Sequence, residues 1–359
     1  MFIPEEFRGL GYSVLPGEKL KDLWGLLASS AESADTASDL AAITFEDPHF
    51  GEHYQHYLLP RVTECEQHRK DQLSKLRNTL TFGLFAFILL IPVQILAHLF
   101  LQEHDTLLFL AMMLYSGLLV WMWHPIRAYK ATIKKDIFPS IFSFFGEHFV
   151  YTAEGGLSLE DLISSGILPH YNIAHTEDHL RGLYQNVALE IQELDLKKET
   201  GSGKSRRVET VFKGMAIRLS MNKPFHGRTL VKEDQGKLGN WLTDKFSSGG
   251  LEKITLEDPL FEREFEVYGS DQIEARYLLT PAFMERLQKL CAIVEGDGLQ
   301  AAFYDSRLLL LISTPHDRFS VASIFTPATF EAEIVTILSE MKQIFGIIDH
   351  LKLYEQTRL

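Results

Sequence analysis

The sequence predicts an α+β protein preceded by a transmembrane α-helical hairpin. Three observations carry this expectation. Two long, uncharged apolar runs lie four residues apart, several segments after residue 173 alternate apolar and polar positions, and the C-terminal stretch repeats apolar residues every three or four positions. The expected layout is an N-terminal cytoplasmic helical region (1–79), a membrane hairpin (80–124), a helical stalk or linker (125–172) and a cytoplasmic α+β domain (173–359). That domain is expected to hold a mainly antiparallel sheet and a C-terminal helix.

The apolar runs are 80–101, LTFGLFAFILLIPVQILAHLFL, and 106–123, TLLFLAMMLYSGLLVWMW; neither contains Asp, Glu, Lys or Arg. As helices rising about 1.5 Å per residue they reach about 33 Å and about 27 Å, enough to cross a bilayer. The connection, Gln102-Glu103-His104-Asp105, is too short for anything but antiparallel neighbours. Arg61, Arg69, Lys70, Lys75 and Arg77 precede the first run, and Arg127, Lys130, Lys134 and Lys135 follow the second; the connection carries no Lys or Arg. The positive-inside rule then places both termini in the cytoplasm. Trp121, Trp123 and Tyr129 fall where an interfacial aromatic belt is expected. Gln94 and His98, at i and i+4, mark either an interhelical hydrogen bond or an ion or substrate path. Pro92 predicts a kink.

Before the hairpin, 52–79 is expected to be helical, opened by Asp47-Pro48 and bent or broken at Pro60. After it, 124–149 is expected to be helical, with Ile133, Ile137, Ile141, Phe144 and Phe145 as its apolar stripe and a kink at Pro139. In the C-terminal half, 187–196 and 208–221 alternate as half-buried strands do, with Gly214 as a bulge. Further strands are expected at 265–268, 275–278, 300–303 and 308–312. Helices are expected after Asp258-Pro259, Thr280-Pro281 and Thr326-Pro327, each a capping residue followed by proline. The last helix, 328–350, carries Phe330, Ile334, Ile337, Leu338, Met341, Ile344, Phe345 and Ile348, a wide apolar face that docks on a sheet.

The remaining features bound the chemistry. The chain has 359 residues, 46% hydrophobic and 23% charged, room for one or two folded domains. A net charge of −13 argues against nucleic acid, whose binders present a basic face. Cys65 and Cys291 form neither a disulfide framework nor a zinc cluster. The N-terminal MFIPEEFRGL lacks the pattern of a cleavable signal, so none is expected. The segment 29–39, small and polar, is expected to be a local linker.

The run ETGSGKS (199–205) ends like a phosphate-binding loop, but Lys198 stands where that motif needs glycine, and SRRVETVFKG (205–214) reads as a strand rather than a helix. The run is expected to be a β-hairpin tip, and it implies no bound nucleotide. Its cations, Lys197, Lys198, Lys204, Arg206 and Arg207, are either a solvated tip or a contact for anionic lipid. His49, His53 and His56, and His175 and His179, have spacings seen in metal sites, but such residues more often line a solvated face. Cys291, within an apolar helix with Leu287, Leu290 and Ile293, is expected to be a core residue rather than a nucleophile. No catalytic constellation, metal set or cofactor motif is legible.

The runs FKGMAIRLSMNKPFHGRTLV (212–231) and LEDPLFEREFEVYGSDQIEARYLLTPAFMERL (256–287), with EDHLRG (177–182) and the paired apolar runs, resemble the bacterial family catalogued as domain of unknown function 3137. The resemblance implies an inner-membrane protein that shares an assembly with LemA-type membrane proteins. It brings no catalytic or ligand residues. Phe212, Gly214, Phe225 and Gly227 suit strand packing and turns. Arg276 and Tyr277 are either a polar contact surface or, if Glu264 or Glu274 pairs with Arg276, a structural group. The leading expectation is a non-enzymatic, membrane-anchored interaction or sensing module. The alternatives are an enzyme at the membrane face and an oligomeric channel or transporter component.

Overall fold

The computed structural model describes residues 40, 43–100, 109, 112–113, 116–117, 121, 124–221, 225–233, 250–293, 298–314, 319 and 323–351. They divide into two compact units, Met1–Ile141 with Val321–Ile334, and Phe142–Ser320 with Val335–Leu359.

The first unit is helical. Helix α1 (Pro48–His53) is capped by Asp47, whose carboxylate accepts from the His49 and Phe50 N–H groups, with Pro48 in the first turn where its missing donor is harmless. A π-helical turn, Tyr54–Leu58, leads into α2 (Leu59–Phe100). Helix α3 (His124–Thr132) passes through a second π turn, Ile133–Ile137, into α4 (Phe138–Phe142). Each π turn ends just before a proline, Pro60 or Pro139. A proline ring clashes with the carbonyl four residues back in a regular α-helix, and a wider turn relieves that clash. Of the expected bend or break at Pro60, this wider turn is the form seen, and the helix continues through it.

Helix α2 meets two environments. Up to Thr79 it buries a stripe at three- and four-residue spacing: Val62, Cys65, Glu66, Arg69, Gln72, Leu76 and Thr79. Beyond it, Phe82, Phe85, Ile88, Leu89 and Ile95 are all more than half exposed. One helix among the described residues is long and apolar enough to cross a membrane. Most of the run 106–123 lies outside the described residues, as do the side chains of Gln94 and His98.

The expected helix over 124–149 is shorter. Ile133, Ile137 and Ile141 are buried as predicted. The chain then leaves the helix through a 3-10 turn at Ser143–Phe145, and Gly146 takes φ 127°, a conformation glycine tolerates. Strand β1 (Val150–Thr152) and helix α5 (Leu159–Ser164) come next, within the segment expected to be a helical stalk.

The second unit is built on a nine-stranded sheet, every neighbouring pair antiparallel, in the order β1-β2-β3-β4-β9-β8-β5-β7-β6. The other strands are β2 (Ile173–Tyr184), β3 (Val187–Thr200), β4 (Arg207–Ser220), β5 (Thr229–Glu233), β6 (Glu252–Ile254), β7 (Phe265–Gly269), β8 (Gly298–Tyr304) and β9 (Arg307–Ser313). Long alternating β3 and β4 pair as a hairpin through Thr200↔Arg207, so 201–206 is its tip and no helix follows ETGSGKS. The β3–β4 register shift falls between Leu196 and Lys197 rather than at Gly214. Gly214 has another role: at φ 153° a Cβ there would strike the Ile312 carbonyl of the neighbouring strand.

The segment 275–278 is not a strand. It ends helix α7 (Gln272–Leu278), whose first turn Asp271 caps by accepting from Ile273 N at 2.7 Å and Glu274 N at 3.1 Å. The Asp258 carboxylate accepts from Leu260 N and Phe261 N where the short α6 (Phe261–Glu264) begins, and the Thr280 hydroxyl accepts from Phe283 N at the start of α8 (Pro281–Ile293). The last helix, α9, spans Glu331–Leu351, starting three residues later than expected because Thr326-Pro327 belongs to a turn and Phe330 takes φ 55°. Ile337, Met341, Ile344 and Ile348 are buried, and Phe345 stacks on Tyr184 of β2 at 4.1 Å between ring centroids. The C-terminal helix thus docks on the sheet as its apolar face predicts. Around α5, Leu157, Leu162, Ile167 and Leu168 pack into a core with Leu194, Leu196, Ala216, Leu309 and Leu311.

Candidate functional site

Three polar constructions stand out, all using acids in defined roles. The first lies on α2. Glu66 and Arg69, one helical turn apart, are both buried. Arg69 Nε and Nη2 donate to the two Glu66 oxygens at 2.6 and 2.7 Å. The same pair holds the backbone of 324–328: Arg69 Nη1 donates to the Ile324 carbonyl at 2.8 Å, and Glu66 Oε2 accepts from Ala328 N at 2.9 Å. Burial pushes the Glu66 carboxyl up, but the hydrogen bonds from Arg69 and Ala328 outweigh it and leave the carboxyl below its ordinary range. Beside the pair, burial together with the Glu66 and Asp136 charges pushes the Cys65 thiol up to about 12, so it is not a nucleophile.

The second explains the motifs of the C-terminal half. The Glu274 carboxylate on α7 accepts from His226 N at 2.7 Å and Gly227 N at 2.5 Å. Ser270 Oγ accepts from Arg228 N at 2.8 Å. A Cβ on residue 227 would collide with that carboxylate and with Ser270 Oγ, so a larger residue there would have to displace the two side chains that hold this backbone. The stretch FHGR is thus held by SDQIE, although the two lie more than forty residues apart. Glu274 is engaged with backbone, Glu264 accepts from Gln288 Nε2, and exposed Arg276 donates to the Thr255 carbonyl at 3.3 Å, so of the two alternatives for Arg276 the pairing with either acid is not the one seen. Tyr277 is half-buried next to it.

The third is an ionic network across β2, β3 and β4 at the edge of the α5 core. Arg218 Nε donates to Glu190 Oε2 at 2.8 Å and Nη2 contacts the same oxygen, while Nη1 reaches Asp161 Oδ2 on α5 at 3.2 Å. Arg307 Nη1 lies 3.9 Å from that Asp161 oxygen. The His179 imidazole, with Arg218 and against a push from burial, holds the Glu190 carboxyl at about 2. His179 Nε2 is 3.8 Å from Glu190, too long for a hydrogen bond, so the direct grip is Arg218's. Sequence reading missed this network because its members come from four separated segments.

The hairpin-tip cations are partly spoken for. Lys197 Nζ pairs with Asp195 at 2.9 Å and Arg206 pairs with Glu199. Lys198 and Arg207 are exposed; the Lys204 side chain lies outside the described residues. The histidines do not converge. His53 Nε2 donates to the Ser140 carbonyl, His56 Nδ1 to the Glu52 carbonyl, and His175 and His179 sit on a strand. Among the described residues no group of three His, Cys, Asp or Glu is placed to hold a metal ion. Cys291 lies on α8, its side chain outside the described residues.

With FHGR seated on Glu274, the motif phrases of the C-terminal half have a structural basis. Residues 210–353 match the family model described as protein of unknown function, DUF3137. This DUF3137 segment runs from within β4 to the end of α9 and includes the Glu274 construction. No curated protein matches the chain. Among solved structures, the chain is similar to the crystal structure of the mycobacterial trehalose monomycolate transport factor A, TtfA, with a TM-score of 0.32 and 11% identity over 56% of this chain and 88% of that one. A likeness that distant carries neither fold nor function to the DUF3137 segment.

Proposed function

We propose that this chain is a membrane-anchored interaction module, held by a two-helix hairpin and presenting its DUF3137 segment on the cytoplasmic side. The observation that carries the reading is the bare apolar half of α2. A core helix of a soluble protein buries such a surface, whereas Phe82, Phe85 and Leu89 here are each about two-thirds exposed at 65%, 68% and 66%. Phe109, Met112, Met113 and Trp121 are exposed to a similar degree.

The packing of the arms below supports the hairpin. Arg61 contacts Ser140, and Cys65 feels the charge of Asp136. As one index rises by four the other falls by four, so α2 and the 124–142 arm run antiparallel. Continuing that register sets Arg77 level with His124, where both apolar runs begin. The basic flanks at this level and their absence from 102–105 favour cytoplasmic termini. The partner implied by the resemblance is a LemA-type protein in the same bilayer, and the proposed location is a bacterial inner membrane. The hairpin-tip cations do not carry the reading, since two of them are paired internally.

Single-cysteine labelling tests the topology. On a background with Cys65→Ala and Cys291→Ala, a membrane-impermeant maleimide applied to intact inner-membrane vesicles of known sidedness is expected to reach Lys198→Cys from the cytoplasmic face and Asp105→Cys from the opposite face only. Both positions reacting from one face would overturn the hairpin.

A further inference from the structure

The ionic network leaves two groups whose hydrogen-bonding capacity is unused. The Tyr304 ring is buried, 2% exposed, and its hydroxyl makes no hydrogen bond among the described residues. Burial pushes that hydroxyl's pKa up, and Tyr304 pairs with Arg307 across β8–β9 while Arg307 pairs with Ser220, two residues from Arg218, so all three side chains leave the same face of the sheet. Arg218 lies within hydrogen-bonding reach of the hydroxyl, and since a guanidinium only donates, the hydroxyl's own proton is left without an acceptor. Arg307, at the β8–β9 turn, has a 40% exposed side chain, and its contact with Asp161 is the long 3.9 Å one. Asp161 is itself 51% exposed, and a single oxygen of its carboxylate faces both arginines.

A buried phenol whose proton has no acceptor is unfavourable, and proteins rarely keep one without cause. Two guanidinium groups meet at one exposed carboxylate oxygen, with a hydroxyl donor on the same face of the sheet. A carboxylate that serves the arginines leaves the hydroxyl unserved. A phosphate group has a further acceptor oxygen and matches guanidinium forks better than a lone carboxylate oxygen does.

We propose that Arg218, Arg307 and Tyr304 form a phosphate-group binding site on the sheet, occupied in the unliganded protein by the side chain of Asp161. Asp161 acts as an internal competitor: a phosphate group displaces it, and α5 loses its tie to β4. Glu190 keeps Arg218 in place throughout, because its bonds use Nε and Nη2 and leave Nη1 for the incoming anion. The site goes beyond the membrane-anchor reading and does not depend on it.

The test uses the full chain in nanodiscs of neutral lipid, titrated with inorganic phosphate and followed by hydrogen exchange of 159–164 and by thermal shift. A second arm replaces part of the neutral lipid with phosphatidic acid, so that a headgroup source is told from a free one. Removal of an exposed competing carboxylate predicts that Asp161→Asn tightens phosphate binding about fivefold. Arg307→Ala and Tyr304→Phe are expected to weaken it by a similar or larger factor while the protein stays folded. A response in either arm that tracks these variants supports the site and names its source. No response to either anion in the wild type and in Asp161→Asn, or one that Arg307→Ala leaves unchanged, overturns it. An anchoring failure would show in the labelling experiment and not here.

Discussion

Two glutamate–arginine pairs in this molecule use the same chemistry in opposite ways. Glu66–Arg69 is closed: both side chains are buried, and their remaining capacity goes to the backbone of Ile324 and Ala328. Glu190–Arg218 is open: its arginine extends a third bond to Asp161, whose side chain is half exposed. A closed pair repays its desolvation through the backbone groups it satisfies. In the open pair the outer arm, from Arg218 to half-exposed Asp161, has little stability to lose, and the arginine can turn that donor to another acceptor. The difference separates a structural clamp from a place where something else can bind.

The largest expected effect comes from breaking the closed pair. Arg69→Ala leaves Glu66 charged, buried and without its main partner, and is predicted to destabilise the first unit by ~3–5 kcal/mol. The double variant Glu66→Gln with Arg69→Met removes both charges and is predicted to lose less than Arg69→Ala alone. Chemical unfolding in detergent checks the order. If Arg69→Ala were as mild as the double variant, the pair would not be the clamp described here.

Glu274 supplies a ruler between the two pairs, since it is an acid spent wholly on backbone. Glu274→Ala orphans the N–H groups of His226 and Gly227 and is predicted to cost ~1–3 kcal/mol. Glu274→Gln keeps a carbonyl acceptor and is predicted to lose about half as much. Hydrogen exchange at Gly227 reads the effect directly; unchanged protection in the alanine variant would refute the assignment.

These examples show what the sequence made legible. Alternation found β3 and β4, the 3–4 spacing found the face of α9, and Asp47-Pro48 marked the start of α1, because each signal is local and periodic. The α7 error has a local cause as well: four residues, 275–278, are too few to tell a strand from the end of a helix, and Asp271 is the cap that decides it. The β2–β3 and β8–β9 turns, at Gln185-Asn186 and Asp305-Ser306, take positive φ at both central residues without the expected glycine. Strand β2 was hidden by the bulge between Glu177 and His179, which breaks its alternation. The ionic network was invisible for a different reason. Asp161, Glu190, Arg218 and Arg307 meet only through strand order, and no spacing in the sequence encodes that order.

A pH titration sharpens the comparison on the open side. The Glu190 carboxyl is held at about 2 in the folded chain against an ordinary 4.5. A carboxyl depressed by folding stabilises the folded state fully above the unfolded value and loses that contribution as pH falls through the folded one. The contribution is therefore expected to fade between about pH 4.5 and about pH 2. Glu190→Gln is predicted to flatten this part of the acid limb. Glu66, also depressed, adds to the same limb, so the comparison is made between Glu190→Gln and the wild type with Glu66 intact.

The smallest effect is the most discriminating. Asp161→Asn removes one arm of the open network, an ion pair at 3.2 Å whose acid is half exposed. Such a pair contributes little in water, so thermal stability is predicted to change by no more than ~0.5 kcal/mol. Glu190 still holds Arg218, and the α5 core is anchored by Leu157 and Leu162 rather than by charge. A loss of several kcal/mol would make Asp161 a structural member of a second closed cluster, and the distinction between the two pairs would collapse. A near-neutral result keeps Asp161 outside the structural clamp and leaves Arg307 and Arg218 Nη1 without a charged partner there, the condition under which an added phosphate has something to bind.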